Sequence, residues 1–293
     1  MELPVIGLIA VSAVLHVAWN VRLKTAGDPL RAATVGMLAA TVGIVPVAIG
    51  AWVMAGRPAL PAEGIGLGIA SGIVEAAYFI LLSAAYRRGD LSVVYPIARG
   101  TAPLLAVALG VGLLGEQLGS AGSVGVVLLI AGFVLLQRPW RALRGGGAGL
   151  DPAIAFALGT GVAIASYTFI DRLGTRLIQP LTYAGILWLT TVIVLVAWVS
   201  TVAGGRILSG GRQEVRRAAV GGWLTLGAYV LILVALSVAP LSGVAPLRES
   251  ATVVAAAWGS VALREAADRG ETARRIGASL VIVAGALLLA LDG

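Results

Sequence analysis

Apolar runs of about 20 residues recur along the whole chain, separated by short breaks rich in charge, glycine and proline. The pattern predicts ten helices, over residues 3–24, 30–54, 64–86, 91–113, 120–137, 152–172, 181–203, 217–238, 241–262 and 275–291. Runs of this length cross a bilayer as helices, and they lack the ten-residue alternation of a membrane strand. The breaks include Ala26-Gly27-Asp28-Pro29, Arg87-Arg88-Gly89-Asp90 and Gln179-Pro180. The longest runs from Arg138 to Asp151 and holds Arg141, Arg144 and the glycines Gly145 to Gly147. The expected fold class is therefore an all-α integral membrane protein. Helices 1–5 fall in residues 1–138, a linker occupies 139–151, and helices 6–10 fall in 152–293.

The two halves echo each other. Leu91-Ser92-Val93-Val94-Tyr95-Pro96 matches Leu241-Ser242-Gly243-Val244-Ala245-Pro246 at an offset of 150. One residue drops out after the proline, so Arg99 pairs with Arg248 and Glu116 with Glu265. Earlier, Ala77-Tyr78 matches Ala228-Tyr229, and Trp19-Asn20 aligns with Tyr167-Thr168. Five spans per half is an odd number, so the second half enters the membrane upside down. Inverted repeats of this kind build alternating-access transporters, with the site near the midplane. In the third helix Gly64, Gly68 and Gly72 share one face, where small residues let helix backbones approach closely.

Composition agrees with a membrane solvent. Of 293 residues 59% are hydrophobic and 12% charged, against roughly 25% charged in soluble domains. Mean hydropathy is +0.97. The loops are too short for a soluble domain. The start Met1-Glu2-Leu3-Pro4 lacks the basic n-region of a cleavable signal peptide. There is no cysteine and one histidine, which leaves no thiolate or histidine-pair metal site, and no cofactor motif appears. The net charge of +7 lies in short loops, so it speaks for topology rather than for nucleic acid. Sixteen lysines and arginines fall in the loops after helices 1, 3, 5, 7 and 9; only Arg57, Arg172 and Arg176 fall in the others. By the positive-inside rule the sixteen face the cytoplasm and both termini face outward. The expected location is the cytoplasmic membrane, as a multi-pass monomer or homodimer.

Ionisable groups within spans normally face a cavity or a partner. Arg99 and Arg248 each follow a proline that bends its helix, and a guanidinium fork suits a carboxylate or phosphate. Glu249 and Ser250 follow Arg248. Glu75 shares a helix face with Tyr78 and is suited to an amine, a proton or an ion pair with an arginine. His16, Trp19 and Asn20 lie on one side of helix 1, with Tyr167 at the corresponding place in helix 6. The candidate substrate-binding set is thus Trp19, Asn20, Glu75, Tyr78, Tyr95, Arg99, Tyr167, Arg248, Glu249 and Ser250. Glu75 and His16 are the candidates for proton coupling. Asp171 and Arg172 read as residues near a helix end that reach the interface. Glu116 and Glu265 read as surface or gate residues.

These residues resemble the EamA-type members of the drug/metabolite transporter superfamily. The likeness is carried by His16-Val17-Ala18-Trp19-Asn20, by Tyr95-Pro96-Ile97-Ala98-Arg99-Gly100-Thr101-Ala102-Pro103, and by Leu114-Gly115-Glu116 with its counterpart Leu263-Arg264-Glu265. Where many relatives carry Trp-Gly-x-Asn-Phe, this chain has Trp19-Asn20-Val21, closer to a His-x-x-Trp-Asn branch. The resemblance implies ten helices in two inverted EamA-like repeats and a central cavity lined by helices 1, 3, 4, 6, 8 and 9. It also implies export or exchange of small metabolites, amino acids among them, by secondary transport. The family's usual cytoplasmic termini differ from the charge-based orientation given above.

The leading functional expectation is a secondary transporter of a small polar metabolite, such as an amino-acid-like zwitterion or an organic anion. There is no phosphate-binding loop of the Gly-x-x-x-x-Gly-Lys type. The alternatives are a membrane scaffold or accessory subunit, and an intramembrane lipid-modifying enzyme. The enzyme reading finds no nucleophile paired with a base and no metal motif.

Overall fold

The computed structural model describes residues 1–24, 26–88, 91–137, 151–202, 207, 211–249 and 269–292. Among these residues the chain is helical and contains no strand. The helices are α1 (Leu3–Lys24), α2 (Pro29–Met54), α3 (Ala62–Tyr86), α4 (Leu91–Leu114), α5 (Ser120–Gln137), α6 (Pro152–Leu177), α7 (Pro180–Thr201), α8 (Arg212–Val238), α9 (Leu241–Glu249) and α10 (Arg269–Asp292). Three start by one rule. Asp28, Asp151 and Gln179 cap the N-termini of α2, α6 and α7, each followed by a proline that needs no hydrogen-bond partner for its nitrogen.

Among the described residues seven helices are long and apolar enough to cross a membrane: all or most of α1, α2, α3, α4, α6, α7 and α8. The apolar parts of α5 and α10 are shorter, Ser120–Leu135 and Ile276–Asp292. The second part of the expected helix over 241–262 lies outside the described residues, as do the linker 139–150 and Glu265. Three boundaries differ from the apolar pattern, the first being the start of α10 at Arg269 rather than 275, where charged residues precede the apolar run. α6 continues to Leu177 rather than ending at 172, because it stops only where Gln179-Pro180 starts the next helix. α8 begins at Arg212 rather than 217, since its charged first turns extend the helix beyond the apolar run.

Helices before residue 138 pack mainly on helices after residue 151. α1 packs on α8 as α6 packs on α3, and α2 packs on α8 as α7 packs on α3. Four further pairs are α2 with α7, α4 with α6, α4 with α9, and α5 with α10. On one face the end of α1, the start of α2 and the start of α8 come together, and Arg31 donates to Ile207 O at 3.2 Å and pairs with Glu214 at 3.3 Å. The opposite face is tied by two carboxylates. Glu116, placed after Gly115 at φ +67°, accepts from the backbone N–H groups of Leu241 and Ser242 at 2.7 and 2.8 Å, capping α9. Asp292, at the end of α10, accepts from Gly119 N at 2.6 Å beside the start of α5.

Close backbone approach fixes the helix spacing. The face of Gly64, Gly68 and Gly72 packs against the end of α6 and against α7, and a Cβ on Gly72 would lie 2.6 Å from Leu187 O. Between α2 and α8 the approach is tighter, since a Cβ on Gly222 would lie 1.9 Å from Gly36 O. Both contacts are to backbone, which cannot rotate away. Gly222→Ala is therefore expected to lower stability by about 1–3 kcal/mol in detergent unfolding. Gly66→Ala, whose Cβ meets nothing within 4 Å, should leave it unchanged or raise it slightly. Equal behaviour of the two variants would contradict this packing account.

Candidate functional site

The centre of the bundle is polar. Asp171 of α6 is 1% exposed and accepts three hydroxyl hydrogen bonds from three other helices. Ser71 Oγ of α3 donates at 2.5 Å and Tyr183 of α7 at 3.1 Å, both to Oδ1; Tyr229 of α8 donates at 2.5 Å to Oδ2. Hydrogen bonds to a charged group are roughly twice as strong as neutral ones. Such an arrangement replaces the water that the carboxylate lacks inside the membrane.

Glu75 lies one turn beyond Ser71 on the same face of α3 and is also buried. Its Oε2 is 3.1 Å from Thr191 Oγ1 of α7. That hydroxyl also lies 3.0 Å from Leu187 O and 3.1 Å from Gly72 O. It has one proton for three neighbouring oxygens, and the two carbonyls can only accept. When the proton goes to a carbonyl, the contact with Glu75 needs a proton on the carboxyl.

Positive charge enters from α4 and α9. Arg99 and Arg248 are both buried, and both act electrostatically on His16 and on Tyr167. Arg248 donates to Tyr167 OH at 3.3 Å and to Thr168 Oγ1 at 3.5 Å, and its guanidinium lies 5.7 Å from the Tyr167 ring centroid. It also acts on both Glu75 and Asp171. The groups are linked by a train of rings: His16, Trp19, Phe79, Tyr78, Tyr167, Tyr229 and Trp188, with centroids 4.9–6.3 Å apart. His16 Nδ1, Trp19 Nε1 and Trp188 Nε1 are buried with no hydrogen-bond partner among the described residues. An unsatisfied group of this kind costs about 1–3 kcal/mol, so the cluster holds donor and acceptor capacity beyond its internal needs.

A vestibule of about 300 Å³ leads toward this cluster between α1, α2 and α8. Arg22, Arg31 and Arg217 stand at its rim with Asp28 and Glu214, while Trp19, Phe79 and Thr225 line its deeper end. Trp19 is 4% exposed and touches the ring train on both sides, so it lies between the vestibule and the cluster.

Of the residues expected from sequence, His16, Trp19, Glu75, Tyr78, Arg99, Tyr167 and Arg248 are buried within this region. Asn20 is half-buried, and its Nδ2 donates to His16 O at 2.8 Å. Tyr95 and Glu249 fall on α4 and α9 with side chains outside the described part, and Ser250 lies outside the described residues. Asp171 and Arg172 require correction. They do not reach the interface; both are buried, and Arg172 Nη1 donates to Leu236 O at 2.5 Å. Ending helix 6 at 172 hid this, because the helix runs a further turn and a half. Ser71, Tyr183, Trp188 and Thr191 were missed altogether. The signal available was spacing: Ser71 and Glu75, like Tyr167 and Asp171, stand four apart on one helix face.

Residues 3–138 match the EamA-like transporter family. The matched segment covers α1 to α5, and so contributes His16, Trp19, Ser71, Glu75, Tyr78 and Arg99 of the cluster. A protein of known crystal structure, 21% identical, has the same fold with a TM-score of 0.70, covering 99% of this chain and 98% of its own. No curated protein matches the sequence. The EamA-like match and the apolar helices make the chain a multi-pass membrane protein.

The hub geometry carries a stability order. Tyr229→Phe removes a 2.5 Å donor from Asp171 and is expected to cost about 1.5–3 kcal/mol in detergent unfolding. Tyr183→Phe removes a 3.1 Å donor and should cost less. Wild-type stability in Tyr229→Phe would show that Asp171 does not organise these helices.

Proposed function

We propose that the chain is a secondary transporter of a small polar metabolite, an amino acid or related zwitterion or organic anion. It works by alternating access between two inverted EamA-like halves, residues 1–138 and 152–293, each contributing five transmembrane helices. The observation that carries this reading is the buried cluster of both signs, Glu75 and Asp171 with Arg99 and Arg248, drawn from both halves. A zwitterion carries the complementary pair. The EamA-like match over residues 3–138 supports the transport class. The interchange of corresponding helices in the packing supports the inverted repeat.

Substrate enters the vestibule from the basic face and passes Trp19 and Phe79. Its carboxylate meets a guanidinium fork of Arg99 or Arg248, which binds two oxygens at once. Its amine meets Glu75 after that carboxyl has given up its proton. The donor count at Thr191 supports Glu75 as the proton carrier, while Asp171, already holding three hydroxyls, serves as the fixed anion. The basic face is cytoplasmic by loop charge, the termini face outward, and the membrane is the cytoplasmic membrane. The direction is export or exchange. Energy comes from a proton gradient or from the counter-substrate.

Flux in proteoliposomes loaded with candidate amino acids and organic anions tests the reading. An imposed pH gradient is expected to drive wild-type flux, and Glu75→Gln to abolish that dependence with folding intact. Arg99→Lys keeps charge but loses the fork, and should weaken binding of a carboxylate substrate about tenfold or more while leaving unfolding little changed. Wild-type flux in both Arg99→Lys and Arg99→Gln would remove Arg99 from the binding site. An unchanged pH dependence in Glu75→Gln would remove Glu75 from coupling.

A further inference from the structure

We propose a second site: a groove at the basic face that binds the headgroup of an anionic phospholipid. It adjoins the vestibule, sharing Asp28 and Arg31 with its rim, and does not depend on the transport reading. The groove, of about 480 Å³, lies where the start of α2, the end of α3, the start of α6 and the end of α7 converge. All its lining residues belong to the first two or last two turns of these helices or to the adjoining breaks. Four helix ends at one level place it at the plane of lipid headgroups rather than in the hydrocarbon.

The chemistry of the lining is divided in two. Arg87 and Arg88 supply two guanidiniums; Arg31 also lines the groove but is already engaged by Glu214 and Ile207 O, and the one carboxylate in the lining is Asp28. That carboxylate is engaged in capping α2, accepting from Arg31 N at 3.2 Å. Arg88 is held in place: its guanidinium lies 4.7 Å from the Phe156 ring centroid and its Nη1 donates to Ala84 O at 3.1 Å. Guanidiniums bind phosphate oxygens in pairs, and basic pockets between membrane helices on this side fit anionic headgroups. The rest of the wall is apolar and includes Ile80, Trp198 and Val199. Trp198 and Val202 are 39% and 62% exposed on the outer surface of the bundle, so the groove continues into the region of acyl chains. A tryptophan at this level suits the membrane interface. A free inorganic anion would use the arginines but not the apolar wall. A zwitterionic lipid would bring its own cation to Arg87 and Arg88.

The test uses the purified full-length protein in detergent, titrated with phosphatidylglycerol, with phosphatidylcholine of the same chains, and with inorganic phosphate. Binding is read by thermal stabilisation and by native mass spectrometry. Wild type is expected to bind phosphatidylglycerol at least tenfold more tightly than phosphatidylcholine, with no stabilisation by inorganic phosphate at matched concentration. The double variant Arg87→Gln/Arg88→Gln should lose roughly ten- to thirtyfold in phosphatidylglycerol affinity and so close the gap. Both arginines are exposed, so folding is not at stake, and unfolding in phosphatidylcholine checks it. A second variant, Val202→Glu, keeps every arginine and sets a negative charge in the groove; it should also close the gap. Equal binding of the two lipids by wild type, or a gap that survives both variants, overturns the proposal. Stabilisation by inorganic phosphate equal to that by phosphatidylglycerol overturns the lipid assignment in favour of a small-anion site.

Discussion

A carboxylate inside a membrane must find within the protein everything that water would give it. Asp171 meets that demand with hydroxyls from α3, α7 and α8. The same three bonds join four helices, so satisfying the charge and assembling the centre are one event. The register of α3 against α7 follows from it. Ser71 on Asp171 brings Glu75 one turn on to Thr191, and Gly72 between them lets the two helices come close enough for both contacts. Arg248, arriving from α9, reaches the same face of α6 one turn earlier, through Tyr167 and Thr168.

The two ends of the bundle are finished differently. On the face that bears both termini, Glu116 caps α9 and Asp292 reaches the start of α5. These are charge-assisted bonds to backbone donors, and they fasten elements of one half to the other. On the basic face the start of α8 meets the start of α2 through the exposed Arg31–Glu214 pair, and exposed pairs contribute little. The vestibule opens between the ends of these helices, beside their close approach at Gly36 and Gly222, and ends on aromatic rings. Under the transport reading proposed above, a vestibule open on the basic face with Glu116 capping α9 on the other corresponds to a carrier facing its basic side. In that account, loss of the Glu116 contact accompanies closure of the vestibule.

Much of the architecture was legible because the bilayer imposes its length on the sequence. Runs of about 20 apolar residues and Asp-Pro or Gln-Pro breaks located most helix starts to within two residues. The clearest failure, at Asp171 and Arg172, has a physical origin. A polar pair resembles a helix end by composition, whereas in a bundle interior it marks the place where helices bond to each other. Trp188 and Thr191 were hidden for the opposite reason. They sit in an apolar run that needs no polar group, and their meaning depends on which face of α7 meets α3. Spacing within a helix shows which residues share a face; it does not show which neighbour that face meets.

The central claim is that the cluster is reached alternately from the two faces. The chain has no cysteine, so spin labels can be placed singly or in pairs. One pair, at Gly27 and Arg217, spans the vestibule rim; the other, at Gln117 and Val238, spans the contact of α4 with the α8–α9 turn. All four positions are exposed. Pulsed electron–electron distance measurements in nanodiscs across pH, with and without a transported substrate, are predicted to give two populations at each pair. They should shift in opposite senses, the rim closing as the other face opens. A single unchanging distance at both pairs under all conditions would contradict the account.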